Sequence, residues 1–278
     1  MTGRPRLSVV TISYNQAAFL PGCIASVAAQ KTADVEYILV DPGSTDGSRQ
    51  IARAAGTVID RCIFAPDAGP ADGLNNGFAA ARGEVFCYVN ADDMVLPGAF
   101  AEALDWLDAH PAFAMVAGDG VLVDAAGAPR RRLGSDPARP LRMAFGGGLL
   151  IQPATFLRAS AFRAAGGFNP LNRIAWDGEL AMEVLLAGGR IGRSHRLWAA
   201  MRLHAGSITG RAPHRAARAE WAARRRARLG YDWPVPAVRA LEAWFRLERV
   251  LRAPRRISDR LRTGRVAARF HAAGGGAG

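Results

Sequence analysis

Three shortages limit what the chain can be: it is poor in lysine, poor in cysteine and free of long apolar runs. One of its 36 basic residues is a lysine, Lys31, and its three cysteines, Cys23, Cys62 and Cys87, lie far apart. That number and spacing match no disulfide framework and no zinc motif, so we expect small apolar side chains in a reducing cytoplasm. No apolar run approaches the ~20 residues that a membrane-spanning helix needs.

The length leaves room for one large domain and a smaller appendage. Half of the 278 residues are hydrophobic and the mean hydropathy is +0.02, as in globular proteins. One domain of about 200 residues is the natural expectation. Residues 1–6 run directly into a strand pattern with no separate apolar segment, so we expect no signal peptide and a cytoplasmic location.

Positive charge is concentrated at the C-terminal end. Residues 1–200 carry 18 basic and 19 acidic side chains, a net of −1, whereas residues 201–278 carry 18 basic and 5 acidic ones, a net of +13. The composition also shifts to Ala and Arg near residue 210. We therefore predict a domain over 1–209 and an Arg-rich helical extension over 210–278, whose last residues, 272–278, we expect to be disordered.

The extension admits three interpretations. Its segment 238–251 has helical spacing, with apolar residues set against arginines. It can be a solvated appendage packed on the domain through its aromatic residues, or a peripheral contact with an anionic membrane face. Nucleic-acid binding is the weakest interpretation, because a basic tail alone gives non-specific attraction and no recognised motif accompanies it.

Apolar runs of strand length alternate with segments of helical periodicity. This alternation predicts an α/β fold with a doubly wound, mostly parallel sheet flanked by helices, in which each connection is a right-handed crossover. The predicted strands are 7–13, 35–40, 58–64, 84–90 and 113–117, with a hairpin over 120–133 and last strands within 190–203. The predicted helices are 21–30, 44–55 (with Ser44 or Thr45 as N-cap), 70–82, 98–109, 139–145, 176–187, 216–229 and 238–251.

Polar residues follow three of these strands, at 13–15, at Asp41 and at 90–93. In open α/β sheets, ligands bind outside the carboxyl ends of the strands, so these residues should share one edge. Asp92 and Asp93 place two like charges there, which is costly unless a cation neutralises them. A divalent ion that also holds substrate phosphates is one partner, and capping of the next helix is the alternative. Spacing alone does not decide between them.

Six motif blocks follow one another over about residues 7–209. They lie at 8–15 (Ser-Val-Val-Thr-Ile-Ser-Tyr-Asn), 40–48 (Val-Asp-Pro-Gly-Ser-Thr-Asp-Gly-Ser), 67–84, 90–93 (Asn-Ala-Asp-Asp), 152–180 and 202–209. Together they resemble the family 2 glycosyltransferases, which are inverting enzymes of the GT-A type. The resemblance implies a Rossmann-like GT-A fold and transfer of a hexosyl group from a nucleotide-sugar, with a UDP-linked donor favoured, in surface polysaccharide or glycoconjugate synthesis.

The same resemblance implies a donor pocket at the sheet edge. Asp41 would bond the base, although a turn role before Pro42 and Gly43 is the alternative. Asp67 and Asp72 flank a helix start, so capping competes with a binding role, and Asp72 is the favoured binder of the two. The implied donor-binding residues are Thr11, Ser13, Tyr14, Asn15, Asp41, Asp67, Asp72, Asn90, Ala91 and Asp92.

A metal site is implied at the fourth block. Asp92 matches the metal-binding position of the family's Asp-x-Asp motif, with Mn²⁺ or Mg²⁺ as the ion, whereas Asn90 replaces the first Asp and would touch the sugar. Asp93 would support the site or cap a helix. His204 resembles a late histidine that contacts the metal or the diphosphate, with an ordinary histidine as the alternative. Arg202 is a candidate phosphate contact.

The catalytic base implied by the resemblance is Asp177. Trp176 stands where the family often has Glu, and Glu179 is an alternative base that we expect to be an ordinary helix-surface residue. The acceptor would be a saccharide or a lipid-linked molecule. A nucleotidyltransferase and a non-catalytic nucleotide- or sugar-binding protein are the rival functions; the former usually has a Gly-rich phosphate loop after its first strand, which residues 13–16 lack.

Overall fold

A nine-stranded mixed sheet frames the protein in the computed structural model, which describes residues 3–207 and 215–251. The strands are β1 (Leu7–Ile12), β2 (Val35–Val40), β3 (Arg61–Ile63), β4 (Val85–Asn90), β5 (Met94–Val95), β6 (Met115–Val123), β7 (Pro129–Leu133), β8 (Thr155–Arg158) and β9 (Ile191–Arg202). The helices are α1 (Leu20–Ala28), α2 (Ser48–Ala54), α3 (Pro70–Ala80), α4 (Ala99–Ala109), α5 (Pro140–Ala144), α6 (Ala159–Ala164), α7 (Trp176–Leu186), α8 (Arg215–Arg228) and α9 (Val235–Leu251). The strand order is β3-β2-β1-β4-β8-β6-β9-β5, and β7 pairs with β6.

The first half of the sheet is parallel, as predicted. β1 lies between β2 and β4, and Ile12 is the register partner of both Val40 and Asn90. The loops that follow these three strands therefore leave the sheet at one edge. These strands are also buried on both faces, which explains their nearly continuous apolar sequences.

The second half departs from the parallel prediction. β8 lies antiparallel between β4 and β6, and β5 lies antiparallel to β9, whereas β6 and β9 run parallel. β5 and β8 contain two and four residues, too few to leave a periodic signal in the sequence. The long β9 matters most for function, because it carries residues 201 and 202 back to the carboxyl end of β4.

The structure decides two capping questions in the polar loops, and the predicted start of the helix over 44–55 is wrong. α2 begins at Ser48 after Gly47, a glycine with φ of 99°, and neither Ser44 nor Thr45 caps it. α4 begins at Ala99 after Gly98, so Asp92 and Asp93 do not cap the next helix. The carboxylates after β4 are thus available for another role.

In the described part of the extension, residues 215–251, two helices form and pack on the domain. Val238 and Phe245 of α9 are buried against Ala144 and Phe145, and Arg142 pairs with Glu248 at 2.6 Å. No helix among residues 3–207 and 215–251 is long and apolar enough to cross a membrane. The boundary at 209/210 stays a prediction, and the disorder expected for 272–278 lies outside the described residues.

The cysteines agree with their predicted role. All three are free thiols; Cys23 and Cys87 are buried and Cys62 is partly buried. Burial raises the pKa of the Cys23 thiol to about 12, so it behaves as an apolar group. None of the three lines the clefts described next.

Candidate active site

Two connected clefts open along the carboxyl edge of β1, β2 and β4. The first, here called the wide cleft, has a volume of about 610 Å³, and the second, the narrow cleft, about 290 Å³. Ile12 and Pro70 border both, so the clefts are continuous. The wide cleft is lined by residues of the loops after β1, β2 and β3 and by Arg173. Residues within 88–93, 149–152, 174–177 and 201–207 line the rest of the narrow cleft.

Asn15 ties together two loops at the wide cleft. Its backbone N–H donates to Ser44 Oγ at 2.8 Å, and its Oδ1 accepts from the Thr45 N–H at 2.9 Å. It is the one non-glycine residue among the described residues with positive φ, at 53°, a conformation that Asn tolerates better than most residues. These contacts give the predicted pocket residue Asn15 a structural role in fixing the loops after β1 and β2.

Asp41 is fully buried in the turn beside the wide cleft, and its neighbour Pro42 lines that cleft. Its Oδ1 accepts hydrogen bonds from the Gly43 and Ser44 N–H groups and from Arg49 Nε, at 2.8 to 3.0 Å, which is the turn role. Its Oδ2 is fully buried and has no partner among the described residues. A buried carboxylate oxygen without a hydrogen bond is costly, so this atom is a natural acceptor for a ligand N–H.

The residues at the end of β1 separate into two groups. Ser13 lines the wide cleft, and its buried Oγ also lacks a partner among the described residues, whereas Tyr14 forms an exposed wall of the same cleft. Thr11 does not belong to the pocket, contrary to prediction. Its Oγ1 is buried between Cys23 Sγ, at 3.6 Å, and the Tyr37 hydroxyl, which donates to it at 3.1 Å.

Of the two carboxylates near the start of α3, Asp67 lines the wide cleft and Asp72, the favoured binder, does not. Asp72 Oδ2 accepts the Ala68 N–H at 2.9 Å, so the favoured binder holds the start of α3 and does not line the wide cleft. Asp67 does line it. Burial, together with the nearby charges of Asp72 and Asp41, raises the pKa of Asp67. A Cβ on Gly73 would lie 2.5 Å from Asp67 Oδ2, which explains the glycine at that position.

Arg173 is a cleft residue that the motifs did not indicate. It lies in the loop before α7, donates to the Ala68 carbonyl at 2.7 Å and borders the wide cleft. No carboxylate in the described part of the chain pairs with it. Its contact spans more than a hundred residues of sequence, and only its place four residues before Asp177 could have drawn attention to it.

At the end of β4, the side chain of Asn90 is held at the narrow cleft by a hydrogen bond to Gln152. Asn90 Nδ2 donates to Gln152 Oε1 at 3.1 Å, while Gln152 Nε2 donates to the Tyr88 carbonyl at 2.7 Å. Asn90 Oδ1 is buried without a partner among the described residues, so it is a second free acceptor. The Ala91 N–H donates to the Ile12 carbonyl at 3.1 Å, which holds this loop against β1.

Asp92, which lines the narrow cleft, forms a close pair with His204. Gly206 N–H donates to His204 Nδ1 at 3.2 Å, so in the neutral imidazole the proton lies on Nε2 and is donated to Asp92 Oδ2 at 3.0 Å. Neighbouring ligands of an octahedral ion, each at roughly 2.1 Å, lie about 3 Å apart. The distance between the two atoms therefore matches two adjacent ligand positions around a divalent cation. To bind metal through Nε2, the neutral imidazole would have to carry its proton on Nδ1 and give up the hydrogen bond from the Gly206 N–H. No cluster of three or more His, Cys, Asp or Glu that could hold a metal occurs within 3–207 and 215–251.

Two neighbours of this pair have supporting contacts. Asp93 is buried and accepts the Arg202 N–H at 2.8 Å; burial and then the charge of Asp92 raise its pKa well above the usual range. The Arg202 side chain donates to the backbone carbonyls of Asp92, Asp124 and Ala125 and lies over the Phe19 ring. Arg202 thus clamps the hairpin turn to the loop after β4, and its predicted phosphate contact has no support in this arrangement.

Asp177 lies in the first turn of α7 and lines the narrow cleft together with Asp92. Glu179 does not, because Asn169 Nδ2 and Asn172 Nδ2 donate to its two oxygens at 3.0 and 2.6 Å. It holds the loop before α7, which is a more specific role than the ordinary surface position predicted for it. Of the two carboxylates, only Asp177 is open to the cleft.

The surroundings of Asp177 suit a base. The packed protein around it, including Tyr88 and Leu180, removes solvation from the carboxylate and raises its pKa, while N–H groups of its own helix turn partly offset this. Trp176 Nε1 donates to the Tyr88 hydroxyl at 3.0 Å and fixes this side of the cleft. A raised pKa brings a carboxylate closer to the value at which it exchanges protons efficiently.

The family described as Glycosyl transferase family 2 has a model that matches residues 8–164, more than half of the chain. Among curated proteins, an uncharacterized glycosyltransferase of Nostoc sp. is 42% identical over 96 residues, 33% of this chain and 30% of the relative. The O-antigen biosynthesis protein RfbC of Myxococcus xanthus is 34% identical over 134 residues, 46% of this chain and 10% of the relative. A PGL/p-HBAD biosynthesis glycosyltransferase of Mycobacterium bovis is 33% identical over 122 residues, 42% and 48% of the two chains. The chain thus spans less than half the length of each.

Two solved structures share the fold. S. aureus TarS 1-349 in complex with UDP-GlcNAc superposes with a TM-score of 0.64 and 18% identity, over 86% of this chain and 71% of that one. The mannosyltransferase PcManGT from Pyrobaculum calidifontis, in complex with GDP-Man and Mn²⁺, gives a TM-score of 0.61 and 19% identity, over 100% and 77% of the two chains. At such identities the likeness concerns the fold, which is the GT-A fold predicted from the motifs.

Proposed function

The chain belongs to glycosyl transferase family 2, and on that premise we propose that it transfers a hexosyl group from a nucleoside diphosphate sugar to an acceptor hydroxyl with inversion. One observation carries the proposal. Asp92 and Asp177, from separate parts of the fold, line a single cleft that continues into a second one beside the unpartnered Ser13 oxygen. Family membership also favours sugar transfer over the rival nucleotidyl transfer.

The wide cleft is proposed to take the nucleoside. The Asp41 Oδ2 atom accepts a ring N–H of the base, and the Ser13 hydroxyl offers a second polar contact. A uracil and a guanine both carry a suitable N–H, and the two structural neighbours are complexes with UDP-GlcNAc and GDP-Man. We propose a UDP-linked donor. Arg173, which carries the cationic charge at this cleft, is placed to meet the diphosphate.

The narrow cleft is proposed to hold the reacting groups. Mn²⁺ or Mg²⁺ held between Asp92 and His204 would neutralise charge on the diphosphate leaving group. Asn90 Oδ1 accepts a sugar hydroxyl. Asp177 takes the proton of the acceptor hydroxyl as its oxygen bonds to the anomeric carbon; the bond from that carbon to the diphosphate breaks on the opposite face, and its electron pair leaves with the diphosphate.

The proposed setting is the synthesis of a surface polysaccharide or glycoconjugate, with a saccharide or lipid-linked acceptor. It is supported by the names of two relatives, an O-antigen biosynthesis protein and a PGL/p-HBAD biosynthesis glycosyltransferase. A protein working on such acceptors would act at the cytoplasmic side of the membrane, with peripheral contact through its basic extension.

The test is calorimetric binding of UDP, GDP and dTDP with and without Mn²⁺, on the wild type and on Asp92→Ala. Binding of UDP that strengthens with Mn²⁺ in the wild type, but not in the variant, is the expected result. Preference for GDP would overturn the choice of donor alone. Failure to bind any of the three nucleotides, with or without the ion, would overturn the proposed function.

A further inference from the structure

Helix α9 carries two apolar stripes, and only one of them is covered. The inner stripe, Val238, Leu241 and Phe245, packs on the domain. The outer stripe consists of Trp244, Leu247 and Leu251, which are 57%, 51% and 62% exposed. Its residues are three and four positions apart, so they lie on one side of the helix. A helix that serves only to cover a domain needs one apolar stripe, and the outer one is left for another surface.

The charge beside the outer stripe is positive. Both acidic residues of the helix are engaged by arginines from elsewhere in the fold: Glu242 by Arg226 at 3.2 Å and Glu248 by Arg142 at 2.6 Å. Arg239 and Arg246 are exposed and have no carboxylate partner in the described part of the chain. Residues 201–278 add a net charge of +13 by sequence. Exposed tryptophan and leucine on a helix that also exposes arginines around its circumference match the interface of an anionic lipid bilayer.

We propose that the outer stripe of α9, with Arg239 and Arg246, is the surface by which this protein docks on an anionic lipid membrane. The chemistry disfavours the other occupants. A second copy would bring together two extensions of the same strong positive charge. A nucleic acid would use the arginines but gain little from Leu247 and Leu251, which its phosphates do not contact favourably.

The helix that carries the docking surface is joined to the narrow cleft through its inner stripe. Phe245 lies so close to Gly147 that a Cβ there would approach its ring to 2.8 Å, and two residues later Leu149, 45% exposed, lines the narrow cleft. Docking through the outer stripe would therefore anchor, through the other side of the same helix, a segment that lines the narrow cleft. This consequence rests on the proposed function, whereas the docking itself does not.

The test is co-sedimentation of the full chain with vesicles of phosphatidylcholine alone or mixed with phosphatidylglycerol, at low and high salt. The outer variant is Trp244→Ser, Leu247→Ser and Leu251→Ser together. Its matched control is Leu186→Ser, which removes an exposed leucine at the end of α7. A second variant, Arg239→Ser with Arg246→Ser, separates charge from apolar insertion. Thermal unfolding and UDP binding show whether each variant is folded.

We expect the wild type and the control to bind the anionic vesicles, more weakly at high salt, and to bind phosphatidylcholine little. The outer variant should lose roughly tenfold or more in vesicle affinity while remaining folded. Wild-type failure to bind anionic vesicles would overturn the proposal, and so would unchanged binding by the outer variant. Light scattering that shows a dimer in the wild type and a monomer in the outer variant would assign the stripe to a second copy instead.

Discussion

The wide and narrow clefts adjoin each other but are built in different ways. The wall of the wide cleft comes from loops after consecutive strands, cross-linked by Asn15 and closed by the Asp41 turn. The narrow cleft gathers Asn90, Asp92 and Asp177 from segments far apart in sequence, and His204 joins them through its contact with Asp92. The first is a preformed binding surface and the second an assembly of reactive groups. Substitutions should therefore affect binding in one cleft and turnover in the other.

The sharpest test of this division is Asp177→Asn. The amide cannot take the acceptor proton, so we expect kcat to fall by about 10³-fold, within the usual 10² to 10⁴ for a lost general base. The Kd for UDP, measured by calorimetry, should stay unchanged. Glu179→Gln is the matched control, because that residue only holds the preceding loop. Equal losses in the two variants would remove Asp177 as the base.

The complementary substitution, in the turn beside the wide cleft, is Asp41→Asn. The substitution replaces one carboxylate oxygen, the proposed acceptor of the uracil N–H, by an amide NH₂ group. Loss of this charge-assisted hydrogen bond should weaken UDP binding about 10- to 100-fold. The kcat at saturating donor should change much less. Asp46→Asn is the control: it alters the same loop but bonds to Ala17 and Ser48, away from the cleft. A large fall in kcat with unchanged donor KM would contradict the assignment of the clefts.

A smaller effect on donor binding is expected for Arg173, which borders the wide cleft. Arg173→Ala removes an exposed charge that borders the wide cleft, so we expect the donor KM to rise by about 3- to 10-fold. Arg173→Lys should recover part of it, and Arg163→Ala, a similarly exposed arginine on α6, should have no effect. If only the acceptor KM changes, Arg173 serves the acceptor and not the donor.

The smallest effect concerns stability. Because burial raises the pKa of Asp177, its charged form is disfavoured in the folded state. The favourable effect of Asp177 on the free energy of unfolding is fully present below the ordinary pKa of an Asp side chain. It is lost as the pH rises through the raised pKa of the folded state. Asp177→Asn should therefore unfold at a higher temperature than the wild type at pH 7.5, with a difference that shrinks towards pH 4. A variant less stable than the wild type at pH 7.5 would contradict this direction.

The sequence predicted best where function rests on local pattern. The apolar strands and the polar residues after them placed Ser13, Asp41 and Asn90 at one edge, and the register of β1 with β2 and β4 confirms it. It predicted least where one side chain is held by a distant one. The local sequence does not indicate that the Tyr37 hydroxyl donates to Thr11, that Asp72 accepts the Ala68 N–H or that Arg202 connects two loops. Such hydrogen bonds depend on tertiary placement and leave no period in the chain.

Gly178 places the extension in contact with the start of α7, the helix that carries Asp177. This residue follows Asp177, and a Cβ on it would lie 3.1 Å from the Trp221 ring of α8. A methyl group there would be too close to the ring. Either the ring would have to move by a few tenths of an ångström, or the first turn of α7 would shift towards the cleft. The extension thus packs against the residue next to the proposed base, and a chain cut at residue 209 would lose this contact with the first turn of α7.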